Sequence, residues 1–262
     1  MNRTIFLGKL FGIQIRIHYT WFIIFFLLTF LLVEPDYQSL LKWVVGICTS
    51  AVFFISVLAH ELAHSLVGRA NGIPVSDITL FIFGGMATME KEATNPGAEI
   101  KMAAAGPICS LALAVVFGLI WMIPGITGYV AEALIWLAVT NGILALFNLI
   151  PGFPLDGGRI FRSLIWKSTG SYLIASHIAA IIGYIIGWLF ILFGIFVIIF
   201  RPFGMSWGNG LWLSIIGWFL FSMASSGYRS IRRENKEASH NQNPIITDVE
   251  YKVIDDDKDR QD

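Results

Sequence analysis

Charge is scarce in this sequence. Only 14% of its 262 residues are Asp, Glu, Lys or Arg, against about 25% in an average soluble domain. Basic and acidic residues balance at 18 each, which leaves no positive excess for a nucleic-acid face. Cysteine is scarcer still. Cys48 and Cys109 both lie inside long apolar runs, which argues against a disulfide framework. With 56% hydrophobic residues, a disordered chain is excluded too. Run length then separates an apolar globular protein from a membrane protein.

A hydrocarbon core of about 30 Å takes roughly 20 apolar residues in a helix. Six stretches approach that length: Ile17 to Val33, Trp43 to Gly68, Met102 to Ile123, Val130 to Ile150, Leu173 to Phe200 and Leu211 to Ser225. The first has no small-residue cleavage site and reads as a retained span. Sixteen of the 18 Lys and Arg fall on alternate connecting segments. Because cytoplasmic loops keep positive charge, six crossings with both termini in the cytoplasm are expected. The fold class is therefore an all-α polytopic membrane protein of six transmembrane helices, with a small β element at the cytoplasmic side. Residues 1–230 form the core, and residues 231–262 form a polar, flexible cytoplasmic tail.

The β element has two parts. Ile13 to Ile17 alternates with period two, as a half-buried strand does. Ile78 to Glu90 is β-prone and is split by Gly84-Gly85, a candidate hairpin turn. Such a sheet edge could accept an extended peptide.

Ionisable side chains inside apolar helices are costly and mark function. The second run holds His60-Glu61-Leu62-Ala63-His64. Positions i and i+4 share a helix face, so both imidazoles can reach one metal ion with Glu61 beside it. Zinc suits imidazole donors, and catalytic zinc keeps an open position. A polar cluster bonded between helices is the alternative. A third ligand is then needed. Two prolines and three glycines interrupt the chain between Asn148 and Arg159, and broken backbone at membrane depth lines cavities. Asp156 follows that break and is the candidate third ligand, with a helix cap as its other reading. Gly157 and Gly158 would let the backbone turn close to the metal. His177 reads as a histidine hydrogen-bonded between helices, and His18 as interfacial beside Tyr19 and Trp21.

Together, His60-Glu61-Leu62-Ala63-His64 and Asn148…Pro151…Leu155-Asp156-Gly157 resemble the signatures of the site-2 protease family of intramembrane zinc metalloproteases. The resemblance covers the six-span core. It implies one zinc ion per chain held by His60, His64 and Asp156, with Glu61 as catalytic general base. It also implies that Asn148 positions substrate or stabilises charge. Gly84-Gly85 and Ala105-Gly106-Pro107 match lesser family patterns. No inserted PDZ-like domain is found, and the chain ends near where a CBS pair begins in many relatives.

The expected chemistry is hydrolysis of a peptide bond in or near a transmembrane segment of a membrane-protein substrate, a single-pass protein in the lipid bilayer of a prokaryotic cell. From the spacing to Arg69, the metal site lies about 8–14 Å inside the cytoplasmic end of its helix. The segment from Ile78 to Glu90, with Gly84 and Gly85, could hold the unwound substrate as an added strand. A catalytically idle scaffold or chaperone of the same fold is the main alternative, and a metal transporter the third.

Overall fold

The computed structural model describes residues 4–34, 37–82, 84–89 and 93–241, with side chains through residue 226 except at position 203. The chain divides into two compact units, one ending at Gly170 and the other beginning at Ser171.

The first unit contains β1 (Thr4–Leu10), β2 (Ile13–His18), α1 (Thr20–Val33), α2 (Leu40–Ala70), β3 (Val75–Phe81), β4 (Gly84–Met89), α3 (Pro96–Trp121), α4 (Gly128–Asn148) and α5 (Asp156–Thr169). Local chemistry sets several of these ends. Ser39 Oγ accepts from the Lys42 amide to start α2, and Asn95 Oδ1 accepts from the Ala98 amide, with Pro96 in the first turn of α3. Both are favoured helix-opening arrangements.

The four strands form one sheet in the order β1-β2-β3-β4. β1 and β2 are antiparallel and are joined at Phe11-Gly12, both at positive φ. Two helices separate β2 from β3, and that pair is parallel, as a crossover requires. The alternation expected for β2 is present: Ile13, Ile15 and Ile17 are buried. With Ile78 and Leu80 of β3 they pack on Leu58, Leu62, Phe53 and Val57 of α2. The sheet thus lies along α2, the helix that carries His60 and His64. Arg69, near the end of α2, donates to the carbonyls of Phe11, Gly12 and Val75 and ties two sheet connections to that helix.

Several expectations change here. β1 was not foreseen. The β3–β4 turn falls before Gly84, which already pairs with Phe81. Among the described residues four helices are long and apolar enough to cross a membrane: α2, α3, α4 and, in the second unit, α6 (Tyr172–Phe200). β2 takes Ile17 and His18 from the first apolar run, leaving α1 at 14 residues, roughly 21 Å of helix. The second unit is the pair α6 (Tyr172–Phe200) and α7 (Trp207–Asn241). Residues 231–241 of the expected tail continue α7; residues 242–262 lie outside the described residues.

Candidate metal centre and active site

His60 and His64 sit one turn apart on α2, and both are buried. Their Nε2 atoms are 3.1 Å apart. Asp156 Oδ2 lies 3.3 Å from the first and 3.1 Å from the second. Three residues that are 92 or more positions apart along the chain, or one turn apart on a helix, thus offer one donor atom each to a common point, all within 4.8 Å of one another.

The remaining ring nitrogens indicate which protonation state this arrangement suits. His64 Nδ1 is 2.7 Å from the Met102 carbonyl oxygen. A carbonyl only accepts, so Nδ1 carries the proton and the neutral ring turns a bare Nε2 lone pair inward. His60 Nδ1 is 2.9 Å from Ser110 Oγ. Bare nitrogens and a carboxylate oxygen facing one another repel unless a cation lies between them. The donor set therefore fits a divalent metal ion, and two imidazoles with one carboxylate leave a coordination position open.

Two glycines make room for this cluster. A Cβ at Gly106 of α3 would overlap His64 Nε2 and stand 2.6 Å from His60 Nε2. A Cβ at Gly85 of β4 would stand 2.8 Å from Glu61 Cδ and 3.0 Å from its Oε1. The edge strand therefore passes directly against the Glu61 carboxylate. Gly84 is the residue before it, at the start of β4.

Asp156 is the first residue of α5, and the capping position before it is Leu155, with no side-chain cap. Its carboxylate faces the histidines, so the cap reading is not the one observed. The helix N-terminus also favours a negative charge at this point. Gly157 and Gly158 let backbone pass close to backbone beside Asp156. A Cβ at Gly157 would collide with the Leu149 and Ile150 backbone, and one at Gly158 with that of Gly152 and Phe153. They let the preceding loop fold down on the first turn of α5, next to Asp156.

Asn148 closes α4, where its Nδ2 donates to the Leu144 carbonyl (3.0 Å); it is outside the His–His–Asp group. His177 lies on α6, half-buried, in the second unit. Reading the sequence missed Ser110 and the Met102 carbonyl as partners of the histidines. It also missed Glu99, a carboxylate 1% exposed near the start of α3. An acid just before an apolar run was the available signal for Glu99. Nothing local marks Ser110.

A model of Peptidase family M50 matches residues 48–134 and 125–194. Among curated proteins, sll0528 of Synechocystis is 39% identical over 94% of this chain and 65% of its own length. Rip3 of Mycobacterium tuberculosis is 35% identical over 86% and 58%. Both carry provisional names as zinc metalloproteases. Zinc metalloprotease MJ0392 of Methanocaldococcus jannaschii is 36% identical over 74% of this chain and 55% of that protein. The chain thus spans less than two thirds of the length of these relatives. A solved structure of the site-2 protease from Methanocaldococcus jannaschii superposes with a TM-score of 0.62 at 30% identity, covering 86% of this chain and 95% of that one.

Proposed function

We propose that this chain, which belongs to Peptidase family M50, is an intramembrane zinc endopeptidase that cuts a transmembrane protein near the cytoplasmic face. The observation that carries the reading is the convergence of His60 Nε2, His64 Nε2 and Asp156 Oδ2 beside Glu61, inside a helix apolar enough to cross a membrane. One zinc ion held by these three residues would supply Lewis acidity, polarising the scissile carbonyl and acidifying water.

The chain's own groups do the rest. The Glu61 carboxylate accepts a proton from the attacking water and delivers it to the departing amide nitrogen as the C–N bond breaks. Met102 and Ser110 hold the imidazoles in orientation. The Asn148 amide, at the end of α4, positions substrate or stabilises developing charge. β4 lies at the sheet edge, with Gly85 against Glu61. An unwound substrate stretch added along that edge would present its backbone to the base. In this reading α1, α2, α3, α4, α6 and α7 are the six crossings, and both termini are cytoplasmic. The substrate is a single-pass protein whose cleavage releases a regulatory fragment, and the membrane is a prokaryotic plasma membrane.

The test uses purified protein in detergent with a model transmembrane substrate. Wild type holds one zinc per chain and cleaves, chelator abolishes cleavage, and Glu61→Gln keeps the zinc and loses turnover. Full activity in Glu61→Gln would overturn the assignment. Zinc without cleavage in wild type would favour the idle scaffold.

A further inference from the structure

Glu99 is a carboxylate buried to 1% exposure in the first turn of α3, a helix otherwise apolar enough to cross a membrane. Its partners all come from α5. Ser163 Oγ donates to Oε2 at 2.8 Å, Arg162 Nη2 donates to Oε1, and Arg159 Nε stands 3.7 Å from Oε1. Ser163 is fully buried.

The placement of this cluster along the two helices is what gives it meaning. On α3, Glu99, Met102, Gly106 and Ser110 recur at helical spacing and form one stripe. The last three touch the histidines: the Met102 carbonyl holds His64, Gly106 faces both Nε2 atoms, and Ser110 holds His60. On α5, Asp156, Arg159 and Ser163 form the facing stripe. The two helices run antiparallel, with Asp156 at the level of Gly106 and Ser163 at the level of Glu99. Seven residues, about two turns or roughly 10 Å, separate the two contacts on each helix.

We propose that Glu99, with Arg162 and Ser163, is a positioning clamp that fixes where Asp156 stands relative to the two imidazoles. This rests on the zinc-protease reading of the site. α5 is held at two points: at its first residue by the His–Asp cluster, and two turns later by the clamp. Its only chain connection on that side is the loop folded on Gly157 and Gly158. Apolar contact alone lets helices slide, whereas charge-assisted hydrogen bonds of fixed direction set both register and distance. Glu99 therefore acts on the metal through Asp156, as groups outside the ligand shell commonly do.

The test is a double-mutant cycle on the full chain, read as zinc affinity by competition with a chelator of known strength. Glu99→Gln weakens zinc binding about 10–100-fold in the chain that keeps Asp156. In the Asp156→Ala background the same change alters affinity by less than about 2-fold, because the ligand it positions is gone. A contribution to general stability alone would weaken binding equally in both backgrounds, and that result overturns the clamp. So does unchanged affinity in Glu99→Gln. If Glu99→Gln does not yield folded protein, Ser163→Ala removes a single hydrogen bond and is read in the same cycle, with about a 10-fold loss expected only when Asp156 is present. A wild-type chain that binds no zinc overturns the metal-site reading itself, a failure distinct from that of the clamp.

Discussion

The helix pair α6–α7 and the helices around the His–His–Asp cluster both use glycine to bring chain segments closer than a Cβ permits. In α6–α7 a Cβ at Gly187 would stand 2.7 Å from the Phe221 nitrogen, and one at Gly217 would stand 2.6 Å from the Ile191 nitrogen. Gly194 and Gly210 face each other in the same way. Backbone meets backbone, which is how apolar helices gain contact in lipid, where burial of hydrocarbon gives no preference for a partner. At Gly106 the space is filled instead by two imidazole nitrogens, and at Gly85 by a carboxylate. The same residue type serves packing at some positions and chemistry at others. What stands opposite the glycine tells them apart.

The comparison breaks most visibly at the ligand itself. Asp156→Ala removes a donor without disturbing any glycine contact; cleavage should be lost, and the two histidines should keep only a much weaker zinc site. The fall in affinity should exceed the ~10–100-fold that outer partners cost. Zinc titration beside a cleavage assay measures it. Retention of wild-type affinity would mean that Asp156 is no ligand.

Next comes the contrast between glycines. Gly106→Ala should push the imidazoles apart and reduce zinc affinity roughly 100-fold. Gly187→Ala should leave zinc binding untouched and lower stability by about 1–3 kcal/mol, the usual cost of overpacking. Thermal melts and zinc competition on both variants test the distinction. If Gly187→Ala lost zinc as Gly106→Ala does, the division between packing and chemistry would fail.

How far each region was legible in the sequence follows from how local its signal is. His60, Glu61 and His64 stand out because three polar residues interrupt one apolar helix. Asp156 was marked by the broken backbone before it, and β2 by strict alternation at Ile13, Ile15 and Ile17. β1 gave no such pattern: Ile5, Phe6 and Leu7 are all exposed, so no period of two separates an inner from an outer face. The Glu99 cluster joins residues more than 60 positions apart, and no spacing rule reaches that far. What stands opposite Gly157 and Gly158 was hidden for a related reason. Their neighbours are backbone atoms of a loop whose path the sequence does not reveal.

A smaller effect is expected at Gly85. Gly85→Ala would press on the Glu61 carboxylate while leaving the three ligands alone. Zinc affinity should hold, and kcat should fall roughly 10–100-fold, as a displaced catalytic group causes. A loss of zinc with turnover per bound zinc unchanged would show that β4 supports the metal site rather than the base.

The mildest test separates the two histidines. His64 is held by a backbone carbonyl, which no substitution removes, whereas His60 is held by the Ser110 hydroxyl. Ser110 is fully buried, so Ser110→Ala deletes one partner with little change of volume. His60 would keep its place on the helix but lose the contact that fixes its ring. Zinc affinity should fall about 10-fold, the low end for an outer partner. Ser110→Thr keeps a hydroxyl and should recover most of that loss, whereas a purely steric role for Ser110 would leave Ala the better replacement. Chelator competition on the two variants decides between them.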